Sequence, residues 1–206
     1  MKKKIYAVKN GRKKGIFYTW EECRKQVDNF SNAEFKSFTT LEMAQEFLND
    51  DNKNFEIKSL ISYVDGSYDK LKKIYGSGIV FLEDPEEKTF SFAGNNKEYA
   101  KSRNVAGEIS ACIYAMEYAR ENKYEKIIIN HDYIGLEKWC TGSWKTNKII
   151  TKAYKNCCDY MRNFLIIKFN WIRGHSGDKY NEMADKLAKK ALKDRKYIDV
   201  ISKYST

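Results

Sequence analysis

Lys126-Ile-Ile-Ile-Asn-His-Asp132 decides how the chain is read. Three consecutive β-branched residues with no polar residue between them predict a short strand buried on both faces. Such a strand lies inside a sheet that helices cover. Upstream, Ile109, Cys112, Ile113, Met116 and Ala119 recur at helical spacing, predicting a helix over 105–121. Downstream, helices are expected around 133–140 and 148–163, a strand over 165–171 and a last helix over about 180–192. Further upstream lie three strand-like runs, 57–65, 77–82 and 89–93, the last alternating apolar and polar. Three strands followed by alternating helix and strand predict an α/β fold with a mixed five-stranded sheet flanked by helices.

Residues 1–48 read as a separate small α/β unit. Ile5 to Val8 form a strand, Asn10-Gly11 marks a turn, and Gly15 to Trp20 form a second strand. Thr19-x-x-Glu22 and Thr39-x-x-Glu42 have capping-box spacing, predicting helices to about Asn29 and about Leu48. Phe35 to Phe38 is the strand between them. Asn49-Asp-Asp-Asn-Lys-Asn54 is polar and marks a linker over 49–56, so the domains expected are 1–48 and 57–206.

The 206 residues carry 38 Lys plus Arg against 28 Asp plus Glu, a formal charge of +10. That balance points first to a nucleic acid partner. The excess is sharpest at the start, where residues 1–36 hold ten basic and four acidic side chains. No apolar run approaches the roughly 18–20 residues of a membrane span, so no membrane association is expected. Five cysteines without a Cys-x-x-Cys pair suit reduced thiols in the cytoplasm, and two histidines exclude a His-rich zinc site.

Four acids stand at predicted element ends. Asp65 closes a strand before Gly66-Ser67, Glu108 opens the long helix, Asp132 ends the Ile-Ile-Ile strand, and Asp185 lies in the first turns of the last helix. Singly, each reads as a turn, cap or dipole residue. Together, at the end of an open sheet, they would repel one another unless hard divalent cations neutralised them. Gly174-His-Ser-Gly-Asp-Lys-Tyr-Asn-Glu-Met-Ala-Asp-Lys-Leu-Ala188 adds a histidine in a Gly-rich loop ten residues before the last acid.

With these acids and this loop, residues 57–206 resemble type 1 ribonuclease H. Tyr6-Ala-Val-Lys-Asn-Gly-Arg12, Gly15-Ile-Phe-Tyr-Thr-Trp-Glu-Glu-Cys23 and Phe35-Lys-Ser-Phe38 resemble that family's N-terminal hybrid-binding (viroplasmin-like) domain. The likeness runs from about Ile5 to Leu192. It implies a ribonuclease H-like fold and endonucleolytic hydrolysis of the RNA strand of an RNA–DNA hybrid, leaving 5′-phosphate and 3′-hydroxyl ends. It also implies two Mg²⁺ ions, replaceable by Mn²⁺, held by Asp65, Glu108, Asp132 and Asp185, with His175 helping proton transfer or product release. His131 reads as structural. No protein partner is implied, and a monomer is expected. The alternative is a non-catalytic nucleic-acid-binding protein with a nuclease-like domain.

The resemblance also implies substrate contacts. Gly66 and Asn104 would meet RNA near the cut, although Asn104 reads equally as a helix N-cap. Lys101 would face a phosphate of the DNA strand, against a competing reading as a solvated lysine. Trp144 would face a DNA sugar, with Trp139 the other tryptophan of that segment and core the alternative for either. In the small unit, Tyr6, Trp20, Phe35 and Lys36 would contact the hybrid, core packing being the alternative for Tyr6 and Phe35. Two departures stand out: a short segment between Trp144 and the next helix, and Asp65-Gly-Ser-Tyr-Asp-Lys70 in place of the common Gly-Asn-Pro-Gly stretch.

Overall fold

The structure, a computed structural model, describes residues 4–49, 57–174 and 176–205. The chain divides into two units, Met1–Glu56 and Ile57–Thr206. Most of the expected linker, and His175, lie outside the described residues.

The first unit runs β1 (Ile5–Asn10), β2 (Gly15–Phe17), α1 (Trp20–Val27), β3 (Glu34–Phe38) and α2 (Leu41–Asn49). Its sheet is antiparallel, in the order β2-β1-β3. Alternation along β1 divides the core in two. Ala7 joins Phe38, Ala44 and Phe47 beneath α2, while Val8 joins Cys23 and Val27 beneath α1. The Thr19–Glu22 capping box forms, and it ends the second strand at Phe17, so Trp20 opens the helix instead of closing the strand. The second expected box does not form. Thr40 Oγ1, not Thr39, accepts the Met43 N–H at 3.4 Å, and α2 starts one residue later.

The second unit runs β4 (Ser59–Asp69), β5 (Ile74–Leu82), β6 (Glu87–Gly94), α3 (Lys97–Ala100), α4 (Asn104–Glu121), β7 (Lys126–His131), α5 (Gly135–Thr141), α6 (Ile149–Met161), β8 (Ile166–Trp171) and α7 (Lys179–Asp194). The sheet order is β6-β5-β4-β7-β8, with β4–β5 and β5–β6 antiparallel and the other pairs parallel. This is the mixed five-stranded α/β sheet that the sequence predicts. Leu60, Val64, Ile79, Ile109, Ile113 and Ile127 are among the buried residues of its main core. No described helix is long and apolar enough to cross a membrane.

Two packing contacts position the functional end. A Cβ on Gly66 would lie 2.2 Å from the Asn104 carbonyl, so the first turn of α4 rests directly on β4. A Cβ on Gly78 would lie 2.0 Å from the Ala184 carbonyl, so α7 presses as closely on β5. Only residues without a side chain allow either approach.

Candidate active site

The register of β4 brings the acids together. Tyr63 pairs with Asn130 across the parallel β4–β7 ladder. Two residues further along each strand, Asp65 and Asp132 therefore lie level where β7 stops. Asp65 also pairs with Gly78, which lies beneath Ala184, the residue before Asp185. Glu108 follows one turn after Asn104, whose carbonyl lies over Gly66. One cavity of about 210 Å³ results, lined by Asp65, Asn104, Glu108, Asp132 and Asp185 together with Gly66, Asn181 and Glu182. Asp65 itself does not end its strand: it is the seventh of eleven residues in β4, which continues to Asp69 as a hairpin with β5.

Burial and mutual repulsion strain two of these carboxylates, Asp65 and Glu108. Removal from water, then the Asp132 charge, pushes Asp65 up to about 7. Burial first, then the Asp65 charge, pushes Glu108 up to about 8. The Gly66 N–H donates to Asp65 Oδ1 at 2.7 Å and opposes the shift. Glu108 Oε1 accepts from Asn104 Nδ2 at 3.2 Å, while Glu108 Oε2 is buried without a hydrogen bond. Asp185 Oδ2 accepts from Lys189 Nζ at 2.7 Å, one turn along α7. Among the described residues no three acids already close on a single point as a finished metal cluster. The donor set is nevertheless all hard oxygen and partly unpartnered, with Asp65 and Glu108 held ionised only at a cost, which is the chemistry that divalent cations relieve.

Asn104 is not the N-cap of α4. Arg103 holds that position at φ 56° and ψ −130°, with no side-chain cap, and the Asn104 amide turns to Glu108 instead. Positive φ on a residue with a side chain is strained backbone, here next to the cavity. Arg103, with Lys72, Lys73, Lys97 and Lys101, lines a separate groove of about 610 Å³. Lys101 is therefore outside the carboxylate cavity, and its ammonium is paired with Glu98 at 2.7 Å. A Cβ on Gly174 would lie 2.9 Å from Asp132 Oδ2, so the loop leading to His175 rests against that acid. His131 is fully buried, with Nδ1 3.0 Å from the Tyr133 carbonyl oxygen.

Sequence reading missed Asn181 and Glu182. Asn181 lies four residues before Asp185, hence on the same side of α7, and its Oδ1 is buried without a partner. That spacing was the available signal. Trp144 is 43% exposed and sits edge-on to Trp139 at 6.0 Å. Trp139, not Trp144, lines a cavity of about 230 Å³ with Tyr133, Lys145 and Lys148.

In the first unit Trp20 sits between Tyr6, 5.6 Å away, and Phe35, 5.9 Å away, forming one aromatic surface. Lys36 does not join it. Strand alternation sends Lys36 to the opposite face, opposite Ala7, where its Nζ lies 5.7 Å from the centre of the Phe38 ring.

Residues 57–193 match the family described as RNase H, and residues 4–48 match the family described as Ribonuclease H1 N-terminal domain. Human Ribonuclease H1 is 26% identical over 92% of this chain and 89% of its own length. Ribonuclease H of Ehrlichia chaffeensis is 30% identical over 66% of this chain and 97% of its own length. Ribonuclease H of Saccharomyces cerevisiae is 47% identical over 48 residues, 23% of this chain and 14% of its own length. The crystal structure of RNase H1 from Halobacterium salinarum has the same fold, with a TM-score of 0.54 at 23% identity, covering 66% of this chain and 98% of that one. The five-stranded sheet, the cavity of acids and a family match over most of the chain lead to one conclusion: this chain belongs to the ribonuclease H family of nucleases and carries that family's N-terminal domain ahead of it.

Proposed function

We propose that this enzyme hydrolyses the RNA strand of RNA–DNA hybrids by two-metal-ion catalysis, leaving 5′-phosphate and 3′-hydroxyl ends. The observation that carries the proposal is the 210 Å³ cavity in which Asp65, Glu108, Asp132 and Asp185 meet. Mg²⁺ is the expected ion, with Mn²⁺ as a substitute. Two such ions, when bound, supply an activated water and neutralise charge on the leaving 3′ oxygen.

The chain's own residues do the rest. Asp65 on β4 and Asp132, just past the end of β7, flank the position of the scissile phosphate. Glu108 approaches from α4 and Asp185 from α7. Asn104, whose Nδ2 already donates to Glu108, lies with Gly66 where a ribose 2′-hydroxyl would be read, the group that distinguishes RNA from DNA. Water adds to phosphorus, the P–O3′ bond breaks, and the leaving oxygen takes up a proton. His175, next in sequence to the Gly174 that lies against Asp132, is the proposed aid to that proton's movement or to product release.

Away from the cut, the groove of Arg103, Lys72, Lys73, Lys97 and Lys101 suits phosphates, and Trp139 and Trp144 suit a deoxyribose. Tyr6, Trp20 and Phe35 offer the first unit's surface to the hybrid. The chain works as a monomer in the cytoplasm on this reading, with all five cysteines free and buried.

A gel assay on labelled RNA–DNA hybrid, double-stranded RNA and single-stranded RNA, each with Mg²⁺ or EDTA, tests the proposal. Cleavage of the hybrid's RNA strand in Mg²⁺ alone is expected. Asp132→Asn is expected to lower the rate by at least about 100-fold, on the scale of losing one electrostatic stabiliser of the transition state, while hybrid binding persists. Cleavage at the parental rate would remove Asp132 from the metal-holding set.

A further inference from the structure

The described lining of the catalytic cavity includes five acids, Asp65, Glu108, Asp132, Glu182 and Asp185, and no Lys or Arg. One cation nevertheless reaches it from the side. Lys189 stands one turn beyond Asp185 on α7 and donates to its Oδ2 at 2.7 Å. Its charge also acts on Asp65 across the cavity. The side chain of Lys189 is 59% exposed, so its ammonium can swing into water at little cost. An exposed i, i+4 pair contributes little to helix stability, so support of α7 is a weak account of the contact. The acid that Lys189 engages is one that the metal reading needs free.

We infer that Lys189 is a built-in counter-cation which competes with divalent ions for Asp185 and thereby sets the ion concentration that the site requires. The inference rests on the metal reading above and goes beyond it. A metal ion that takes Asp185 Oδ2 must displace the ammonium, and one that takes Oδ1 is repelled by that ammonium until it swings away. Removing the lysine charge should therefore tighten ion binding, even though it deletes a partner of a proposed ligand. A residue that merely oriented Asp185 would do the reverse.

Calorimetric titration of Mn²⁺ into the full chain, without nucleic acid, separates the two. Lys189→Met should bind Mn²⁺ roughly 3- to 10-fold more tightly than the parent, the scale of one charge acting on a dication through several ångströms of screened solvent. Lys189→Arg should bind as the parent does. Lys190→Met is the control. Lys190 faces Asp194 at 3.9 Å, so this variant loses the same net charge without touching the cavity and should stay within about twofold of the parent. The Mg²⁺ dependence of hybrid cleavage should shift to lower concentration in Lys189→Met alone. Equal or weaker Mn²⁺ binding in Lys189→Met, or equal tightening in Lys190→Met, would overturn the inference. A parent chain that binds no Mn²⁺ at all would instead overturn the metal reading, and this assignment with it.

Discussion

Glu108 shows what one side chain bears in this site. Its ordinary carboxyl value of 4.5 rises to about 8 in the fold, through burial first and the Asp65 and Asp132 charges second. Asp65 rises from 3.8 to about 7. The native state thus holds these protons more tightly than the unfolded chain does. Stability from the pair is fully present below about pH 4 and is lost progressively as pH rises through 7 and 8. In EDTA, the thermal midpoint should therefore fall across that window. Glu108→Gln keeps the shape and removes the charge, so it should stabilise the chain at pH 8 by on the order of 1–3 kcal/mol and leave it unchanged at pH 4. Mg²⁺ should erase most of the difference by stabilising only the parent. A Gln variant no more stable than the parent at pH 8 in EDTA would show that the carboxylates are not strained. The four acids were legible in the sequence because each stands at or near a predicted strand end or in the first turns of a predicted helix. Asn181 was signalled only by its spacing of four from Asp185, and Lys189 not at all, since a Lys on an amphipathic helix looks alike on its wet side and on its site-facing side. Lys36 needed the register: only pairing with Ala7 shows that it leaves the aromatic face.

Elements succeed or fail here by how closely they approach. α7 delivers Asp185 only because Gly78 lets the Ala184 backbone down onto β5. Gly78→Ala would place a methyl 2.0 Å from that carbonyl, and no flexible side chain is there to yield. Overpacking of this kind costs roughly 1–3 kcal/mol. Because the strain falls on the helix that carries an acid, cleavage should drop more than the loss of folded protein explains. Chemical denaturation with activity per folded molecule checks both parts; full activity in a destabilised variant would mean that α7 is not what places Asp185. Long apolar patterns made β7 and α4 readable. The sequence places the end of β4 at Asp65, before Gly66-Ser67, yet pairing with β5 continues to Asp69↔Ile74. No element is expected after about residue 192, but Tyr197 bridges to Ala93, and Val200 and Ile201 are buried in the main core. Such contacts depend on residues about a hundred positions away, which local pattern does not encode.

At the scale of the whole molecule, one chain carries two kinds of surface proposed to meet the hybrid. The Tyr6–Trp20–Phe35 cluster is apolar, with Trp20 44% exposed. The groove of the second unit is cationic, and Lys73, Lys97 and Arg103 have no ion-pair partner among the described residues. Salt distinguishes them. Counterion release makes affinity fall with salt in proportion to the phosphates neutralised, and an aromatic contact releases no ions. Trp20→Ala should therefore weaken hybrid binding by about 1–2 kcal/mol at every salt concentration, with the slope of log affinity against log salt unchanged. Lys97→Ala should weaken it most at low salt and reduce that slope by about 1. A short tether makes the second unit's engagement effectively intramolecular once the first is bound. Single-turnover cleavage at saturating enzyme should then be unchanged in Trp20→Ala, while multiple cuts per encounter decline. A salt slope that falls in Trp20→Ala and stays constant in Lys97→Ala would exchange the roles of the two surfaces and overturn this division of labour.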